Sequence, residues 1–398
     1  PNDIAQGEVF LQASSPGGTA MVDPGDLVDA LFATEIVTAS GAGQYGRAEI
    51  DAFVSGVDIE LTPTLSTYGE GWTGRSASAD VEDWLALLHL RMSETDVDEV
   101  AVRQVSRRYT PVVEDPATDP QSAASDALNE ARYGDAPHYD VLPDPDEFAT
   151  LAAAGVARVW NDRFGDVSDW VFVFAGDFDR AAMRELTDAY IGTLPGGRGQ
   201  EAPPTVTPPP PDGPSRVAVR AGTGETASVD LLITTPADAL DPGIDALADV
   251  ASAVVSARLT KVVREQYGDS YAPYAVTWVD EDPDPVVVTY IHASGSPERI
   301  DAIAETIRGE LAALAGGDLT DAEFASAHAP VAERYTYVDN GEFLVHVTRE
   351  AWDPGYDLTG YIFKHETVAA VSRSDIVEFL ARYVPVDRYA EAVVTPRP

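Results

Sequence analysis

The stretch Gly196 to Pro214, GGRGQEAPPTVTPPPPDGP, carries no apolar periodicity and divides the chain of 398 residues into two nearly equal parts. Proline stiffens such a stretch toward an extended polyproline conformation, so it predicts a spacer between two domains. The expected division is a first domain at 1–197, a proline-rich linker at 198–215 and a second domain at 216–398. Each part is of ordinary domain size and can bury a core without staples.

The two parts read as diverged copies of one unit. In the first, a helical segment through Val156, Val159 and Trp160 reaches Arg163-Phe164, and a strand opens at Trp170. In the second, Ile376, Phe379 and Leu380 lead to Arg382-Tyr383, and a strand opens at Tyr389. Upstream, a strand into Gly74 followed by a helix from Ser78 parallels a strand into Gly295 followed by a helix from Ser296. Leu247, Ala251, Val255, Leu259 and Val262 fall at helical spacing, and Val286 to Ile291 reads as a buried strand. The order is not a regular βαβα series. It predicts an α+β fold in each copy, a mostly antiparallel sheet flanked by helices.

Charge narrows the partners. Asp and Glu number 67 against 26 Lys and Arg, a formal net charge of −41. The acids are spread along the sequence, which argues against binding nucleic acid or an anionic membrane. Only Lys261 and Lys364 are lysines, a bias read as genomic composition or salt adaptation. Cysteine is absent, so disulfides and thiolate chemistry are excluded while the compartment stays open. No apolar run approaches the roughly 20 residues of a membrane span.

Most catalytic signatures are missing. There is no phosphate-binding G-x-x-x-x-G-K-[ST], no G-x-G-x-x-G and no G-x-S-x-G. The histidines are His89, His138, His292, His328, His346 and His365, and no two share a helix face at the spacing that lets both reach one zinc. Each reads as a lone surface or half-buried histidine.

One segment carries chemistry. VVREQYGDSYAPYAVTWV places Arg264 at a helix end, with Tyr271 seven residues on, ahead of a strand with Tyr274 and Trp278. A guanidinium offers a fixed fork of donors and a phenol one more, both suited to developing negative charge. The alternative is structural: Arg264 answers the helix dipole and Tyr271 packs under the sheet. Pro273 lacks a backbone donor close to the strand start, a local departure from a regular strand.

This R-E-x-x-G-x-x-Y pattern, in Arg264, Glu265, Gly268 and Tyr271, resembles the C-terminal half of the M16 (insulinase/pitrilysin-type) zinc metallopeptidases. Ser15-Pro16-Gly17-Gly18 resembles the turn after an early strand in inactive halves of bacterial members. The Gly-x-Gly turn at Gly41 to Gly43, and VFVFAGD from Val171 to Asp177 followed by YIGTLP from Tyr190 to Pro195, extend the match over nearly the whole chain. Where the active half carries H-x-x-E-H, this sequence reads VDALFATEIV, from Val28 to Val37, with no histidine, and Glu35 reads as a solvated helix-face residue.

The resemblance implies two tandem M16-type domains forming the non-catalytic half of a metallopeptidase. This chain would bind no metal, and zinc would sit in a partner half, on the same original polypeptide or a separate subunit. Arg264 and Tyr271 would hold peptide substrates facing that zinc in a closed chamber. The acidic wall would favour basic peptides. In such halves a further strand usually precedes the one at Val9 to Ala13, and we expect that strand, with a linker, to have been cut away or to belong to a partner. The alternatives are a structural or assembly subunit of the same fold and a free-standing peptide-binding or chaperone-like module.

Overall fold

Residues 8–16 show why the first strand forms: Val9, Leu11, Ala13 and Ser15 are buried on one face, and Gln12 and Ser14 alternate with them on the other. A computed structural model describes residues 6–237, 242–267, 273–281, 283–335 and 364–398. In chain order the elements of the first part are β1 (Glu8–Pro16), α1 (Leu27–Thr38), α2 (Arg47–Val54), β2 (Ile59–Leu65), β3 (Gly69–Ala77), α3 (Val81–Ser93), α4 (Glu99–Glu114), α5 (Pro120–Tyr133), α6 (Pro145–Phe148), α7 (Ala153–Phe164), β4 (Val171–Gly176) and α8 (Arg180–Tyr190). Those of the second are β5 (Pro214–Arg220), β6 (Ala227–Pro236), α9 (Pro242–Tyr267), β7 (Tyr274–Asp280), β8 (Val286–Gly295), α10 (Ile300–Ala315), α11 (Asp321–Arg334), α12 (Lys364–Ala370), α13 (Arg373–Tyr383) and β9 (Tyr389–Thr395).

Two sheets result, in the strand orders β2-β3-β1-β4 and β5-β9-β6-β8-β7. The central strand of each, β1 or β6, pairs antiparallel on both sides, and the following hairpin, β2–β3 or β7–β8, forms one end. The topologies match strand for strand, with β5 as the extra member, parallel to β9. The fold is α+β, with mostly antiparallel sheets flanked by helices.

Compact packing assigns 6–113 and 143–206 to one unit and 114–142, 207–335 and 364–398 to the other, among the described residues. In the first, Trp72, Trp160 and Phe164 are fully buried, with Trp160 stacked on Phe164 at 4.0 Å and Trp72 edge-on to Trp160 at 5.7 Å. Beside them the Ser15–Gly18 turn closes over a polar core. Gly18 has φ 62°, and a Cβ there would lie 2.4 Å from the Gly69 nitrogen, so only glycine fits. Its N–H donates to Glu70 at 2.8 Å, while Arg163 donates to both oxygens of Glu201 at 2.6 and 3.0 Å. Burial pushes the Glu70 carboxyl up to about 8, outweighing the Gly18 bond and the Arg163 charge 4.0 Å away. Glu201 and Asp162 hold that guanidinium more closely.

In the second unit α9, α10 and α13 cover the inner sheet face through Val255, Leu259, Ile303, Leu311, Ile376 and Phe379. The outer face is covered in part by α5, whose Ala127, Leu128 and Ala131 meet Leu232, Val288, Ala390 and Ala392. α5 comes from the first half of the sequence, so the unit is not one continuous stretch. The proline run is anchored here by Arg132, which donates to the Pro208 carbonyl at 3.1 Å. No helix among the described residues is long and apolar enough to cross a membrane.

Candidate functional site

The site expected at the end of α9 is built by a row of hydroxyls. Among the described residues β7 is the last strand of its sheet, so one edge of its backbone has no strand partner there. Ser252, Ser256 and Thr260 stand at four-residue intervals on α9 and meet that edge. Ser252 Oγ accepts from Thr277 N–H at 2.7 Å, and Ser256 Oγ accepts from Ala275 N–H at 2.8 Å and donates to Ala275 O at 3.0 Å. Thr260 donates to the Pro273 carbonyl at 3.2 Å. Proline has no N–H at this edge, and the threonine there needs only to donate. The geometry is possible because four helical residues rise about 6.0 Å and two strand residues about 6.6 Å.

This row fixes the end of α9 against the start of β7, the two elements that bracket the expected site. Arg264 lies one turn beyond Thr260, in the last turn of α9, and is exposed. Tyr271, with Gly268, lies outside the described residues. Pro273 does not break the strand, since β7 opens at Tyr274 and the proline carbonyl is taken by Thr260. Sequence reasoning missed the hydroxyl row, although its i, i+4, i+8 spacing on a helix next to a predicted strand was a usable signal.

On the outer face of the same hairpin a second cluster stands among residues that the sequence left separate. The buried Asp230 carboxylate, 4% exposed, accepts from the Tyr290 hydroxyl at 2.5 Å and faces His292 Nδ1 at 2.8 Å. A carboxylate at Nδ1 places the ring proton there and leaves Nε2 as the second functional nitrogen. Burial, and then the hydrogen bond to Asp230, push the Tyr290 phenol far up, so it stays a donor. Tyr274 packs on both rings, at 5.9 Å from Tyr290 and 5.4 Å from His292.

The helix in the place of H-x-x-E-H is α1, and its acids serve packing. Glu35 is not a freely solvated residue: Arg108 pairs with it and the Tyr109 hydroxyl donates to it at 3.0 Å. The cause is α4 lying alongside, which the sequence pattern alone did not place. Asp29 is buried, accepts from Ala152 N–H at 3.1 Å at the start of α7, and is raised by that burial. Gly155 leaves room for it: a Cβ there would lie 1.9 Å from its carboxylate.

The described histidines go to separate places. His89 Nδ1 faces the Tyr190 carbonyl at 2.7 Å, His328 Nε2 the Val368 carbonyl at 2.7 Å, and His346 lies outside the described residues. Among the described residues no three His, Cys, Asp or Glu side chains form a group that could hold a metal ion.

The structure joins two α+β sheets of matching topology, a helix α1 without histidine and an arginine in the last turn of the long second-unit helix. Residues 168–330 match the family described as Peptidase M16 inactive domain. Among solved structures, the periplasmic protease PqqL from Escherichia coli is similar at TM-score 0.82 and 14% identity, covering 98% of this chain and 43% of that one. The ferredoxin protease FusC, in complex with Arabidopsis ferredoxin, is similar at TM-score 0.82 and 13% identity, covering 100% of this chain and 43% of that one. The peptidase M16 inactive domain from Pseudomonas fluorescens gives 0.81 and 15%, covering 98% and 93%. The chain thus spans less than half of the two proteases and nearly all of the isolated inactive domain. No curated protein sequence matches it. The family match bears out the M16 inactive-domain resemblance read from the sequence over residues 168–330, and the structural neighbours show the fold.

Proposed function

We propose that this chain is the non-catalytic, substrate-holding half of an M16 zinc metalloendopeptidase, closing a chamber with a zinc-bearing half that processes or degrades peptides. The observation that carries the reading is the hydroxyl row between α9 and β7. Its steps pair residues 252 with 277, 256 with 275 and 260 with 273. Four residues along the helix accompany two along the strand, and Arg264 follows Thr260 by the next four, in the last turn of α9.

In that role the Arg264 guanidinium and the Tyr271 phenol donate to the substrate carbonyl and to the negative charge it develops. Zinc, held by the partner half, would supply an activated water and polarise the same carbonyl. In this reading this chain's share is to bind and orient the peptide.

The test is a peptidase assay of this chain, of an H-x-x-E-H half, and of both together. Activity is expected only in the mixture. Arg264→Ala should lower kcat by about a hundredfold with a smaller change in KM. Unchanged kinetics would overturn this reading and leave a structural or assembly subunit in its place.

A further inference from the structure

The two copies of the fold treat the outer face of their end hairpins differently. In the first, β2 and β3 present Glu60, Thr62 and Thr64 beside Thr73 and Arg75, with Arg75 paired to Glu60 at 3.0 Å and Glu8 at 2.9 Å. This is an ordinary solvated face. In the second, β7 presents Tyr274, Val276 and Trp278, which are 44%, 45% and 40% exposed. They stand opposite His292, Tyr290 and Val288. The first copy shows that the fold does not need aromatic side chains there.

Strand addition is not the use of this hairpin, because the hydroxyl row of α9 already occupies the free edge of β7. What remains open is the part of the face outside the α5 contact, the β7 row of Tyr274, Val276 and Trp278. Its exposed side chains recur every second residue, about 6.6 Å apart. Tyr290 and His292 are held by the buried Asp230 beside them on β6. Such a platform suits side-chain contact with an extended chain, and Tyr and Trp rings accept cations on their faces.

Charge selects the occupant. From Tyr274 to Gly295 the sequence has no Lys or Arg, while Asp280, Glu281, Asp282 and Asp284 follow one another between Val279 and Val286, in a protein of formal net charge −41. We propose that the outer face of the β7–β8 hairpin docks an extended peptide segment carrying lysine or arginine beside apolar side chains, with a cation over the Trp278 and Tyr274 rings. The proposal rests on the substrate-holding reading above, and adds a surface away from the reacting bond that chooses which peptides are held.

The experiment needs neither zinc nor the partner half. A fluorescently labelled peptide of alternating Leu and Arg is titrated with the whole chain by anisotropy, beside a Leu and Glu peptide of equal length. Only the basic peptide should bind. Trp278→Thr and Tyr274→Thr, which restore the residue type of the first copy, should each weaken binding about tenfold, and Trp278→Phe should retain most of it. Val276→Lys, at an exposed position, should abolish binding without disturbing the fold. Equal binding of the acidic peptide, wild-type affinity in Trp278→Thr, or self-association that Trp278→Thr removes would each overturn the proposal. Binding as expected, with no peptidase activity in the mixed halves, would remove the substrate-holding reading and leave the docking surface standing.

Discussion

Replacing Ser256 by alanine tests the hydroxyl row directly. Its oxygen accepts from Ala275 N–H at 2.8 Å and donates to Ala275 O at 3.0 Å, and Ala275 is buried in the second-unit core. In Ser256→Ala neither strand group regains a partner from the helix, and a buried unsatisfied polar group costs about 1–3 kcal/mol. Alanine returns about 0.5 kcal/mol of helix propensity. The net loss expected is about 1–2 kcal/mol. For a unit of roughly 200 residues each kcal/mol lowers the midpoint about 2–4 °C. Urea and thermal unfolding followed by circular dichroism give both quantities. Adding Ser252→Ala should roughly double the loss, since Thr277 N–H depends on that hydroxyl in the same way. Ser256→Thr keeps the oxygen and should recover most of the stability. A loss below about 0.3 kcal/mol in Ser256→Ala, or a threonine variant no better than alanine, would show that the row does not hold the edge.

Glu70 makes stability depend on pH. Its folded-state carboxyl titrates at about 8 against an ordinary 4.5, so between these values the folded chain keeps a proton that the unfolded chain has released. Stability should therefore be full below about pH 4.5 and fall as pH rises through 8. Glu70→Gln should reduce that slope in urea melts at pH 5 and pH 8.5. It should not abolish it, since burial also raises Asp29 and Glu391. Gly18→Ala should cost about 1–3 kcal/mol from the positive φ, with the clash against Gly69 adding to it. A first-unit thermal midpoint unchanged by that substitution would contradict the turn geometry.

Local periodicity was legible in the long helix and the buried strand of the second unit. The α9 positions Ala251, Val255 and Leu259 are buried as their spacing predicts, and the Val286–Ile291 run lies within β8. The repeated Arg-aromatic pair was legible too. Arg163-Phe164 closes α7 before β4 and Arg382-Tyr383 closes α13 before β9. What failed to appear depends on pairings between distant residues. Nothing in the α5 sequence says that its alanine face meets β6, β8 and β9. Asp230 and His292 are joined by the antiparallel register of β6 with β8, which no local pattern encodes.

The β7 strand shows how local reading can mislead and why. Its alternation sets bulky Tyr274, Val276 and Trp278 against small Ala275 and Thr277, and burial by size would turn the bulky row inward. The reverse holds: Ala275 and Thr277 are buried and the bulky row faces out. The hydroxyls of α9 reach the β7 backbone only if the helix lies close, and a close helix leaves no room for large inward side chains. In the equivalent β2 the inward row is Ile59, Leu61 and Pro63 and the outward row is polar. The small inward row is thus set by the edge seal. The seal does not require the outward row to be aromatic, because any soluble side chain would satisfy the fold there. Residues that break a burial rule without a folding reason are those most worth mutating for function, which is why Trp278 and Tyr274, more than any buried position, are the substitutions that test the proposed docking face.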